Sequence, residues 1–452
     1  MSRPASFLNQ FFRLAIANIL SNLMVPLAGL MDVAFLGHLE ELHHLAGVAL
    51  ATVLVNYIYW TFCFLRMGTT GTTAQAVGRN DPEAVLLIGL RHGAIALGLG
   101  LLVVLLQHPL QILGFSLLSA EPEVEAAGQS YYNALIWGAP ATLLNYVLIG
   151  WFLGRGQSGK VLLLSLVGNG TKVLLDYLLV VLWNWQSVGA GVATASSQYL
   201  MLLTGLLLLS REFHWQRIWQ LRQKLCDRQA LKACFMLNSE ILVRSFAMVS
   251  TFGLFTNLSS TLGTTTLTTN AVLLQVVTLA AYFIDGLAYA TESLAGIFQG
   301  RGTTTNLATL VKVAGATSLS LGLGFAIGFN LAPSTLFQML TSHGSIVEQL
   351  SQYVVWLLPV LGFGSIAYML DGYFLGLTEG RILRNAAITA AICGFSPLAI
   401  AAWYFQNNHL LWSAMALFML FRVVALGLKV PQTIKPLDTK TPPLQGLEAT
   451  QY

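Results

Sequence analysis

Residues 150–154 read GWFLG, and residues 372–376 read GYFLG. The same spacing of 222 residues lays Tyr131 on Tyr353 and the pair Gly78-Arg79 on Gly300-Arg301. Three matches at one spacing mark an internal duplication, which constrains the fold more than any single element does. If each half holds an even number of membrane spans, both halves point the same way through a bilayer.

The composition supplies the spans. Only 9% of the 452 residues are charged and 55% are apolar, whereas a soluble domain carries about a quarter charged residues. Mean hydropathy is +0.68, which excludes a soluble globular protein. A hydrocarbon core about 30 Å thick takes about 20 apolar residues in helical form. Stretches of that length start near residues 12, 45, 84, 126, 160, 188, 233, 267, 307, 347, 383 and 409. The expected fold is therefore an all-α integral membrane protein with twelve transmembrane helices in two parallel six-helix lobes. The divisions are an N-terminal lobe over 1–210, a connector over 211–232, a C-terminal lobe over 233–430 and a tail over 431–452.

The first apolar stretch carries Arg13, Asn18 and Asn22 and lacks a small-residue cleavage site, so it is expected to stay in the mature chain. Cys63, Cys226, Cys234 and Cys393 show no CxxC spacing and imply neither disulfides nor a metal site. Lys and Arg cluster at every second connection, from Arg79 and Arg155 to Arg301 and Arg381, while the intervening connections lack them. The positive-inside rule then puts both termini in the cytoplasm, with the plasma (inner) membrane as the expected location. The net charge of +4 is a topology signal, and no nucleic-acid partner is implied. In the connector, Trp215, Ile218 and Trp219 share a helical face among bases, which suits either a helix lying on the leaflet or a basic tether. The tail from Pro431, with four prolines, reads as disordered.

A charge at the bilayer centre costs about 2.5–3.5 kcal/mol on insertion scales, so each ionisable residue within a span invites a functional reading. Asp32 sits in the outer half of the first span on a stripe with Asn18, Asn22 and Gly29, six residues after Pro26. In the fifth span, Asn169, Lys172 and Asp176 share one face, and Leu174, Leu175 and Leu178 cover the other. Lys172 and Asp176 read either as an i, i+4 pair that eases insertion or as groups facing a cavity. Depth along the helices places Asp32 and Asp176 in one outward cavity, with Thr194 and Gln198 entering from the sixth span and Asn145 from the fourth. The eighth span carries Gln275, Thr278, Tyr282, Asp285, Tyr289 and Glu292 at steps of three or four, as a cavity lining does. Asp371 in the tenth span completes the set, with Glu240 and Arg244 in the seventh as a further i, i+4 pair. At the repeat spacing Asp32, Asp176, Asp285 and Asp371 map onto Leu254, Leu398, Cys63 and Ile149, so the halves share scaffold but not charge.

Two parallel halves with buried carboxylates suit secondary transport. A carboxylate in a desolvated cavity can cycle between charged and neutral forms, so a proton and a cationic substrate can compete for it. No P-loop or enzymatic constellation is present, and no cofactor is expected beyond H+ or Na+ as coupling ion. His38, His43 and His44 lack a familiar metal-ligand spacing, and no metal is expected there.

YFIDGLAYATESLAGIFQGRG (282–302), DGYFLGLTEGRILRN (371–385), MDVAFLG (31–37) and LLDYLLV (174–180) resemble the MATE family of multidrug and toxic compound extrusion transporters, in particular its DinF-like branch. The resemblance covers the chain to about residue 430. It implies two six-helix lobes around a cleft, exchanging amphipathic or cationic compounds for H+ or, second, Na+. It also implies that Asp32 takes the proton, with Asp176 and Thr194 at the family's fifth- and sixth-span positions. Lys172 stands where the family usually has Asn, and the second-lobe acids of the NorM-like branch have no clean counterpart. Small organic substrates, membrane lipids and a functional monomer are the partners expected. The alternative is a flippase of lipid or lipid-linked precursors, which requires a strongly cationic central cavity; a non-transporting receptor leaves the acids without a role.

Overall fold

The computed structural model describes residues 4–38, 41–116, 120–212, 222–225, 227–338 and 344–434. Twelve of its helices are long and apolar enough to cross a membrane. In the first half they are α1 (Phe7–Gly37), α2 (His43–Gly78), α3 (Pro82–Leu105), α4 (Pro122–Gly154), α5 (Ser158–Leu182) and α6 (Gln186–Ser210). The second half holds α7 (Arg228–Thr261), α8 (Thr264–Gly300), α9 (Thr305–Leu331), α10 (Ile346–Gly376), α11 (Gly380–Phe405) and α12 (Asn408–Ile434). No strand occurs among the described residues. The starts read from hydropathy lie within about five residues of these, the error expected of such boundaries. Local chemistry sets some ends: Asp81 accepts the Ala84 N–H at 2.9 Å with Pro82 at the first helical position, and Asn407 accepts the His409 N–H at 2.8 Å.

The duplication carries into three dimensions. Six of the eight positive-φ residues among the described residues fall in pairs 222 residues apart: Asn80 and Gly302, Gly156 and Thr378, Asn184 and Gln406. Helix-helix contacts repeat at the same spacing. A side chain on Gly150 would overlap the Arg66 carbonyl, and one on Gly372 would overlap the Ala288 carbonyl. Small residues at these crossings let backbones touch, as membrane helices require when no hydrophobic force joins them.

The two lobes join at one end. Phe11 and Leu14 of α1, Leu65 of α2, Leu287 and Leu294 of α8 and Leu370 of α10 share one apolar core that spans both lobes. Toward the opposite end each lobe has its own core, around Val48 and Tyr132 in the first and around Phe255 and Trp412 in the second. At the joined end the repeat-related glycines Gly78 and Gly300 face each other, and an added Cβ on either would lie within 3.0 Å of the other's Cα. Gln75 completes the seal, donating to the Gly376 carbonyl at 3.2 Å and the Thr378 hydroxyl at 3.1 Å.

Several spans are irregular. α2 breaks at Phe62–Cys63, α4 and α10 contain 3-10 turns at Ile136–Gly138 and Val354–Trp356, and π-turns occupy Tyr177–Leu182 of α5 and Ala390–Phe395 of α11. The 3-10 turns precede Pro140 and Pro359, whose missing N–H groups loosen the helix there. The amphipathic face read at Trp215, Ile218 and Trp219 lies outside the described residues. α7 already begins at Arg228, and α12 runs past Pro431 to Ile434; residues 435–452 lie outside the description.

Candidate functional site

The fifth span brings Lys172 and Asp176 onto one face, while Leu174 on the other is 71% exposed, as a lipid-facing residue should be. Across the helix contact, Lys172 Nζ donates to Asp32 Oδ1 of α1 and, at 3.1 Å, to Asp176 Oδ2. One ammonium thus bridges the two carboxylates that the helical spacing placed at equal depth. Asp176 is buried, and its second oxygen Oδ1 has no hydrogen-bond partner among the described residues. Two carboxylates and one ammonium leave one net negative charge in a desolvated place, an arrangement that can take up one proton or one monovalent cation.

The surroundings hold α1 and α5 together. Ser165 Oγ donates to the Ser21 carbonyl at 2.8 Å, and Asn169 Nδ2 donates to the Ser165 carbonyl at 2.9 Å. Asn22 Nδ2 reaches the Tyr282 carbonyl of α8 at 3.3 Å, so it ties the lobes together and does not join the carboxylates. Asn18 is buried with neither amide atom partnered among the described residues. Asn145 donates to Gln198 at 2.9 Å (carbonyl) and 3.0 Å (side chain), fastening α4 to α6, and the Thr194 hydroxyl bonds the Ala190 carbonyl of its own helix.

A second charged group lies between the lobes, around a cavity of about 320 Å³. Asp285, Tyr289 and Glu292 of α8 and Asp371 of α10 line it, along with Arg66 of α2 and Arg244 of α7. Arg66 bonds Glu292 at 3.4 Å and lies 4.1 Å from the Tyr289 ring centre, a cation-π distance. Arg244 and Arg422 of α12 both donate to Asp371 Oδ2. Asp285 forms no ion pair among the described residues and presents the cavity's uncommitted carboxylate. The polar stripe read along α8 is therefore divided: Gln275 and Thr278 line a separate pocket with Asn270 and Ser259, and only the lower part meets the cavity.

Two findings depart from the sequence reading. The expected Glu240–Arg244 pair does not form, because Glu240 turns out to Arg381 at 3.1 Å while Arg244 turns in to Asp371. Arg66 and Arg422 were overlooked, although each is a lone charge deep within a span and the insertion cost applied to the acids marks them equally. Their partners are 226 and 51 residues away in sequence, beyond any helical spacing.

The chain is 34% identical to DNA damage-inducible protein F of Escherichia coli strain K12 over 418 residues, covering 92% of this chain and 90% of that protein. It belongs to the MATE family. The MatE family model matches residues 17–178, which include Asp32, Lys172 and Asp176. A probable multidrug resistance protein NorM from Thermotoga maritima is 23% identical over 91% of this chain and 90% of its own length. Among solved structures, an outward-facing multidrug resistance MATE family transporter superposes with a TM-score of 0.84, covering 94% of this chain and 95% of its own, at 19% identity. The fold is thus that of MATE transporters, and the chain is a transporter and not an enzyme. Within this MATE chain, the bridged carboxylates and the inter-lobe cavity are, among the described residues, the two places where Asp, Glu, Lys and Arg side chains are buried against the bilayer's preference.

Proposed function

We propose that the protein is a secondary-active antiporter that exports amphipathic or cationic organic compounds in exchange for H+, with Na+ the less favoured coupling ion. The observation that carries this reading is the Asp32–Lys172–Asp176 group. Its one net negative charge accepts a proton, and the resident ammonium occupies the place a Na+ would need. Asp285, uncommitted in a cavity walled by Trp60, Met67, Met248 and Tyr289, suits a cation with an apolar body. The lobes join at the Gly78–Gly300 end, which charge distribution assigns to the cytoplasm, and this supports an outward-facing state. A monomer in the plasma membrane with both termini cytoplasmic belongs to the same proposal. Flipping of lipid-linked precursors is less well supported, because Arg66, Arg244 and Arg422 are committed to Glu292 and Asp371 and leave no cationic surplus on the cavity wall.

The test is efflux from proteoliposomes with H+ and Na+ gradients imposed independently, against a panel of fluorescent organic cations. A proton gradient alone should drive efflux, and Asp32→Asn should abolish it without lowering the yield of folded protein. Normal proton-driven efflux by that variant would refute the assignment.

A further inference from the structure

Three side chains outside both charged groups converge at the start of α2. Glu41 immediately precedes the helix, but its carboxylate makes no capping hydrogen bond. It turns to two imidazoles instead, with Oε2 lying 3.5 Å from His43 Nε2 and 3.3 Å from His44 Nε2. Donor atoms from all three residues lie within 4.8 Å of one another. We propose that Glu41, His43 and His44 form a binding site for a borderline divalent cation of the zinc class.

Geometry supplies the first argument. Zinc bonds of about 2.0–2.2 Å in a tetrahedron put adjacent ligand atoms about 3.4 Å apart. Both carboxylate-imidazole separations fall at that edge length. The second argument is the setting of His44, which is only 9% exposed. Its Nδ1 lies 2.8 Å from the hydroxyl of Ser187, itself buried at the start of α6, while Nε2 is buried with no hydrogen-bond partner among the described residues. Nε2 lies 3.3 Å from a carboxylate oxygen yet makes no hydrogen bond to it. When Nδ1–H donates to Ser187, two acceptors lie side by side, and a cation between them resolves the conflict. An outer hydrogen bond that fixes the tautomer and aims the ring is the support metal-ligating histidines ordinarily have. Two imidazoliums are the weaker solution, since the rings are 4.2 Å apart beside a helix N-terminus, where positive charge is disfavoured. Imidazole and carboxylate donors suit Zn2+, Cu2+ or Ni2+ and not Mg2+. Three protein ligands leave a fourth position to water.

The test is calorimetric titration of the full chain in detergent micelles with ZnCl2 at neutral pH, in the presence of excess Mg2+. One saturable site is expected. His44→Ala and Glu41→Gln should each remove its heat, and Ser187→Ala should weaken it about 10–100-fold. Glu41 is exposed, so Glu41→Gln tests the site without disturbing the fold. No saturable heat from the native chain, or heat that survives both ligand substitutions, would overturn the proposal.

Discussion

The two buried charge groups differ at the level of single residues in what each substitution removes. Asp371 satisfies two guanidiniums that are themselves buried, so Asp371→Asn leaves both Arg244 and Arg422 uncompensated. Breaking a buried pair by deleting one partner costs about 3–5 kcal/mol. The thermal midpoint of Asp371→Asn in detergent should fall by several degrees, while Asp285→Asn should melt close to the native protein because Asp285 balances no arginine directly. Equal midpoints for the two variants would show that the Asp371 clamp adds nothing to stability. Lys172 is a different case. Replacing it with Asn removes the resident cation and leaves two carboxylates facing an open place. A Na+ gradient at zero proton gradient should then drive efflux by Lys172→Asn and not by the native chain. If Na+ has no effect on either, Lys172 serves insertion and packing alone. The Lys172–Asp176 spacing was legible in the sequence because i and i+4 share a face, and depth along the helices brought Asp32 to the same level. The arginine clamp was not, because its partners come from α2, α7, α8, α10 and α12 and only the fold unites them.

At the level of elements, hydropathy located all twelve spans, but the features that let them move or meet are written in residues with no hydropathic signal. The π-turn of α5 follows Asp176 directly and is built from Tyr177–Leu182, an apolar run with neither Pro nor Gly. Single π-turns inserted in α-helices recur at functional sites, and here one adjoins the candidate proton acceptor. The break in α2 at Phe62–Cys63 is equally silent in the sequence. The meeting of α2 and α8 was half legible: Gly78 and Gly300 were matched by the repeat, yet their mutual contact follows only from the way the lobes close. A Cβ at residue 300 would overlap the Gln75 carbonyl oxygen, a backbone atom that cannot move aside. Gly300→Ala should therefore hold the ends of α2 and α8 apart. Spin labels placed at those ends should report a longer mean distance, and efflux should fall about tenfold or more. Gly253→Ala in α7, where an added Cβ meets nothing within 4 Å, serves as the control and should change neither. Unchanged distances in Gly300→Ala would mean that the glycine contact does not set the closure.

For the whole molecule, the duplicated scaffold and the unduplicated charges have separate consequences. The repeat builds two lobes that share a core at one end and part at the other, which is the mechanical requirement for exposing a site alternately to each side of the membrane. The charges decide what crosses. Because Asp32, Lys172 and Asp176 together carry one net negative charge, one proton neutralises the first-lobe group, and one monovalent cation neutralises Asp285 in the inter-lobe cavity. Exchange of one for the other moves no net charge through the membrane field. A chain that instead carried two protons per monovalent cation would move one elementary charge per cycle, worth about 2.3 kcal/mol per 100 mV. That energy corresponds to about a 50-fold change in the accumulation ratio. Proteoliposomes with a fixed proton gradient and a potassium-diffusion potential stepped from 0 to about 100 mV distinguish the two. The steady-state gradient of a monovalent substrate should be unchanged by the step in the native chain, and a shift of tens of fold would require a second proton-carrying group. Asp285 in the inter-lobe cavity would then be the first residue to substitute.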